Sequence, residues 1–81
     1  MSEDDIQFLQ ANRHHYEQWK QVQVVKHLDG ATRTRMLDII HRQFAPNYLA
    51  DLWCQSCVVA MIEYLYAQYD KWKAMRSQNE F

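Results

Sequence analysis

The sequence predicts an all-α fold, a single three-helix domain whose long C-terminal helix is the spine. Three observations carry that expectation. The chain of 81 residues holds one glycine and one proline, too few of the residues that turns between short strands consume. Its apolar side chains recur at spacings of three and four rather than two. A hydrophobic content of 48% with 23% charged residues describes a folded domain rather than a disordered tail. At this length only about 60% of the unfolded surface is buried on folding, so self-association is a natural way to complete the core.

Helix one is expected over residues 3–27. Ser2 with Asp5 three residues later makes a capping-box-like start, and Glu3, Asp4 and Asp5 put negative charge where the helix dipole is positive. Phe8, Ala11, His15, Trp19 and Val22 follow helical spacing, with Ile6, Leu9 and Tyr16 widening the apolar stripe. The alternating Val22-Gln23-Val24-Val25 run is β-branched and leaves room for a bend there. Gly30 reads as a left-handed helix terminator and Asp29 as the start of the next element.

Helix two is expected over 32–44, with Met36, Leu37, Ile40 and Phe44 on one side and Arg33, Arg35, Asp38 and Arg42 largely on the other. Pro46 disfavours helical geometry at Ala45, and Asn47 reads as the N-cap of the third helix. Helix three is then expected over 48–75, roughly 42 Å long, with a middle that is apolar all round. Two shorter helices would leave part of it uncovered. Val58, Val59, Ile62, Tyr66, Tyr69 and Trp72, with Met61 and Leu65 beside them, therefore form the expected surface for a partner, first of all a second copy of the chain. Lys71, Lys73 and Arg76 suit its C-terminal dipole, and the tail over 77–81 is expected to fray.

Charge narrows the function classes. Nine basic and ten acidic residues give a net charge of −1, which removes the strong positive field of a typical nucleic-acid binder. Residues 57–62 form an apolar run far short of the about 20 residues a membrane span needs. Two cysteines are too few for a disulfide framework, and the acidic start is unlike a basic secretory signal, so the cytoplasm is the expected location.

Trp53-Cys54-Gln55-Ser56-Cys57 is the sharpest local motif. The spelling resembles a thioredoxin active site, and a helix N-terminus lowers a thiol pKa while three-residue spacing lets two sulfurs meet. That chemistry calls for a strand ahead of the motif, whereas the expected helix has already begun its second turn there. A zinc reading would join Cys54 and Cys57 to His41, with His14, His15 and His27 as further candidates, but the spacings match no finger. The preferred reading makes both cysteines small buried apolar residues.

Residues 13–42 hold six basic and three acidic side chains. Arg13, His14, Lys20, Lys26, Arg33, Arg35 and Arg42 are candidates for an anion or nucleotide surface, with Tyr16 or Trp19 stacking on a base. A solvated helix face explains the same charges, because no glycine-rich loop accompanies them. Eleven aromatic residues, including Tyr48, Trp53, Tyr64, Tyr66, Tyr69 and Trp72 on the expected third helix, are divided between core and interface. Glu63 stands alone among apolar neighbours. No nucleophile with a base and an orienting group is apparent, so no enzyme and no cofactor are expected.

The segments Phe44-Ala45-Pro46-Asn47-Tyr48, Asp51-Leu52-Trp53-Cys54-Gln55-Ser56-Cys57-Val58 and Leu65-Tyr66-Ala67-Gln68-Tyr69-Asp70 together resemble short helical proteins encoded by phages and mobile elements of gut bacteria. The resemblance spans residues 8–72. It implies an accessory protein of a bacterial host's cytoplasm that acts by binding, either to a host or virion protein or to a signalling nucleotide. It implies no site residues. The reading is a non-catalytic protein that binds or assembles, with nucleotide binding and cysteine-based zinc or redox chemistry as alternatives.

Overall fold

Local capping begins the fold as the sequence predicts. The Ser2 hydroxyl accepts the Asp5 amide at 3.2 Å and opens α1 (Glu3–Val22); the Asp29 carboxylate accepts the Thr32 amide at 2.7 Å and opens α2 (Gly30–Gln43). The third helix is α3 (Gln55–Gln78). The computed structural model describes residues 1–23 and 28–78, of residues 77 and 78 the backbone alone, and no strand occurs among the described residues.

Five boundaries differ from expectation, the smallest difference being that α2 ends at Gln43 with Phe44 as its C-cap. Helix one stops at Val22 rather than continuing to 27, because Gln23 turns left-handed at φ 59° and returns its amide to the Trp19 carbonyl at 2.9 Å. The expected continuation over 24–27 lies outside the described residues. Gly30 is not a left-handed terminator: its φ is negative and it occupies the first position of α2, two residues ahead of the predicted start.

Helix three begins seven residues later than expected. Pro46 and Asn47 make a turn in which the Tyr48 amide reaches the Ala45 carbonyl at 3.1 Å, so Asn47 caps nothing. Asp51 then makes a second turn, its carbonyl accepting the Cys54 amide at 3.1 Å and its carboxylate accepting the Trp53 amide at 2.9 Å. Tyr48 and Trp53 therefore lie on the connection, not on the helix. At its other end α3 continues past Met75 to Gln78, and 79–81, part of the tail expected to fray, lies outside the described residues. Its 24 residues span about 36 Å.

α3 lies against both other helices. Leu9 of α1, Leu28, and Met36, Ile39 and Ile40 of α2 meet Val58, Met61, Ile62, Leu65, Tyr66 and Tyr69 of α3 in one core. The predicted partner surface is corrected here: Val58, Ile62, Tyr66 and Tyr69 are 2% exposed or less and belong to the chain's own interior. The two shorter helices suffice because the 45–54 connection also contributes Ala45, Tyr48, Ala50 and Leu52 to the cover. Val59 and Trp72 remain half-buried.

Polar ties fix the helices relative to one another. The Tyr66 hydroxyl donates to the Leu9 carbonyl at 2.7 Å, and Arg13 grips Asp70 with both nitrogens at 2.8 and 3.1 Å. The Trp19 indole N–H donates to Glu63, so that lone carboxylate has a partner on α1. At the opposite end Arg42 clasps the buried Asp5 at 3.0 and 3.2 Å, joining the end of α2 to the start of α1.

A Cβ built at Gly30 meets nothing within 4 Å, so Gly30→Ala should raise the unfolding free energy by about 0.5–1 kcal/mol in urea titration, by restricting the unfolded chain. Hydrogen bonding from Arg42 holds the Asp5 carboxyl below its ordinary value of 3.8, against the opposing pull of burial. Because the folded pKa is depressed, the ionised form contributes stability that is present above about pH 4 and disappears as pH falls through the folded value. Asp5→Asn should therefore cost about 2 kcal/mol near pH 7 and much less near pH 2, read from paired urea titrations.

Candidate functional site

The connection from Phe44 to Cys54 is irregular but tethered throughout. His41 Nε2 donates to the Tyr48 carbonyl at 2.7 Å, and the Tyr48 ring stacks on Tyr64 of α3 at 4.7 Å. Arg33, only 7% exposed, donates to the Leu52 carbonyl at 2.5 Å and to the Asp29 carbonyl at 3.4 Å. Its guanidinium also lies 5.5 Å from the centre of the Trp53 ring. A loop held this way presents its remaining side chains in defined positions, and two of those are large and apolar: Leu49 is 93% exposed and Trp53 88%.

Cys54 is the last residue of this connection, and Cys57 lies in the first turn of α3. With α3 starting at Gln55, Cys54 takes the N-cap position, and its carbonyl accepts the Val58 amide at 3.0 Å. Its sulfur receives the Cys57 amide at 3.4 Å and lies 3.2 Å from the Ser56 hydroxyl. Both thiols are free and neither is buried, which corrects their assignment as small core residues. A hydrogen bond from the Cys57 thiol, then one from Ser56 and the Cys57 amide, lower the Cys54 pKa, while desolvation and then the Asp51 carboxylate oppose them. The hydrogen bond to Cys54, followed by desolvation, pushes the Cys57 thiol up. Cys54 is thus the more acidic thiol of the pair and Cys57 the less acidic one.

The structure does not assemble the predicted metal or anion sites. Among the described residues no group of three or more His, Cys, Asp and Glu side chains is placed to hold a metal ion, so Cys54, Cys57 and His41 do not form a ligand set. His41 is spent on the Tyr48 carbonyl. The candidate basic surface is dispersed among internal ties: Arg13 serves Asp70 and Glu17, Arg33 serves the connection, and Arg42 serves Asp5 and Asp38. Arg35 lies 3.8 Å from Asp5 and 4.7 Å over the Phe8 ring, Lys20 lies over Tyr16, and His14 bonds the Ala11 carbonyl. Lys26 lies outside the described residues. A groove of about 670 Å³ does run beside Arg35 and Arg42, yet Asp5 and Asp38 line it as well. An entering anion would have to displace those carboxylates.

The importance of Leu49 is invisible in the sequence, whose pattern places it inside a helix. Residue 49 lies between the turns at 45–48 and 51–54, and Arg33 holds the Leu52 carbonyl across 19 residues, a tie that no side-chain property of residue 49 reveals. Replacing that tether with an apolar side chain, Arg33→Met, should lower stability by about 2 kcal/mol in urea titration and speed amide exchange selectively over residues 48–54.

No helix among the described residues is long and apolar enough to cross a membrane. The chain matches no protein-family model, and searches of curated proteins and of solved structures find no similar protein.

Proposed function

We propose that this chain is a small protein-binding module that acts by assembly rather than catalysis, with the 45–54 connection as the centre of its contact surface and a second copy of the chain as its first partner. The observation that carries this reading is the near-complete exposure of Leu49 and Trp53 on a connection tethered by Arg33 and His41. Large apolar side chains held out in water gain most from association, and tryptophan is enriched at the centres of binding surfaces. The tether means that little loop ordering opposes binding.

Charge supports the same reading. A net charge of −1 offers little repulsion between copies. The proposal moves the contact away from the middle of α3, whose apolar residues are already satisfied by α1 and α2. The accessory role implied by the resemblance to phage and mobile-element proteins belongs with this proposal, and a host or virion protein would dock on the same connection.

Sedimentation velocity across about 1–100 μM, a range typical of modest protein affinities, provides the test. The wild-type chain should shift from monomer to dimer, and Leu49→Ser with Trp53→Ala should hold it monomeric with unchanged helical circular dichroism. A wild-type monomer at every concentration, or a dimer indifferent to both substitutions, would overturn the assembly reading.

A further inference from the structure

We propose that Cys54 and Cys57 form a redox-active dithiol that exchanges with exposed disulfides, Cys54 attacking and Cys57 resolving. The geometry separates their roles. Cys54 sits at the N-cap of a 24-residue helix, partly open to solvent, with its sulfur accepting the Cys57 amide at 3.4 Å and lying 3.2 Å from the Ser56 hydroxyl. Each of those contacts favours a thiolate, as does the positive end of the helix. Cys57 lies one turn farther along, and its backbone amide already reaches the sulfur that its thiol would attack. Asp51 on the connection is the carboxylate facing both cysteines, and Tyr48 also lies within electrostatic reach of Cys57.

The chemistry balances without any further reactant. The Cys54 thiol loses its proton to solvent, and the thiolate attacks one sulfur of a disulfide; a Cys54 mixed disulfide forms as the original S–S bond breaks and the first thiolate leaves. The Cys57 thiol loses its proton, its sulfur attacks Cys54, and the second thiolate leaves as the Cys54–Cys57 disulfide forms. The protein gives up two electrons and two protons, and the substrate disulfide becomes two thiols. One disulfide is reduced per chain oxidised, so the reaction is stoichiometric and stands independently of the assembly proposal.

Substitution can separate the roles while keeping the helix start. Serine at position 54 still offers an oxygen to the Cys57 amide, so Cys54→Ser preserves the cap. Oxidised glutathione is the probe, with intact-mass spectrometry and iodoacetamide labelling as readouts and circular dichroism confirming the fold of each variant. The wild-type protein should lose two hydrogens and both reactive thiols; Cys57→Ser should accumulate a glutathione mixed disulfide, and Cys54→Ser should form one far more slowly. In the reduced wild-type protein Cys54 should be alkylated at least about tenfold faster than Cys57 near neutral pH. Persistence of both thiols in excess oxidised glutathione, or equal behaviour of the two single variants, would overturn the proposal.

Discussion

The molecule depends on the phenol of Tyr66. Its side chain is fully buried, so its hydroxyl needs a partner inside the protein, and the partner is the Leu9 carbonyl on α1 at 2.7 Å. The ring stacks on Tyr16 at 5.3 Å and meets the edge of Tyr69 at 6.4 Å. Arg13 closes the arrangement, with its guanidinium 5.7 and 5.8 Å from the Tyr16 and Tyr66 centres while it pairs with Asp70. Together these contacts set the register of α1 against α3. Burial pushes the Tyr66 pKa up, away from any range in which the phenol would ionise near neutral pH. The tie therefore persists through the acid range in which the Asp5–Arg42 clasp is lost.

With α1 and α3 locked, α2 has one place to put Met36, Ile39 and Ile40, and it must reach back to the first helix at its end. Arg42 does so through Asp5 and also holds Asp38 one turn earlier on its own helix at 2.8 Å. The same helix projects Arg33 and His41 toward the connection. A loop between two helices thereby acquires fixed carbonyl contacts at Leu52 and Tyr48. Rigidity of the exposed surface is thus a consequence of how α2 is seated in the core, linking the packing of Met36 to the display of Trp53.

The legible part of the sequence is local. Ser2 and Asp29 announce their helices because a cap bonds an amide three residues away. The helical class is legible from apolar spacing and the scarcity of glycine and proline. The start of α3 is not, because Leu49, Leu52 and Trp53 continue an apolar pattern into a segment whose carbonyls are held by Arg33 and His41 of α2. Charge misleads for a related reason. Arg13 and Arg42 each have a carboxylate four residues away, Glu17 and Asp38, but the carboxylates they grip with two nitrogens, Asp70 and Asp5, lie 57 and 37 residues away. Once those pairings exist, little of the basic region between 13 and 42 is left for an outside anion.

Moving one boundary also changes the chemistry of the cysteines. In a helix starting at 48, Cys54 would have its amide and carbonyl committed to interior hydrogen bonds. Starting at Gln55, the same helix leaves orphan amides that the Cys54 sulfur partly satisfies. Sulfur is a weak acceptor, and serine, threonine, aspartate and asparagine are the residues that stabilise a helix start well. Position 54 therefore departs from what stability alone would select, at a site where a second cysteine lies one turn away and an exposed tryptophan lies one residue before. Departures of this kind concentrate where a side chain serves something other than the fold. The thiol gains from the helix terminus what the terminus loses by having sulfur as its cap: electrostatic stabilisation of the ionised, nucleophilic form.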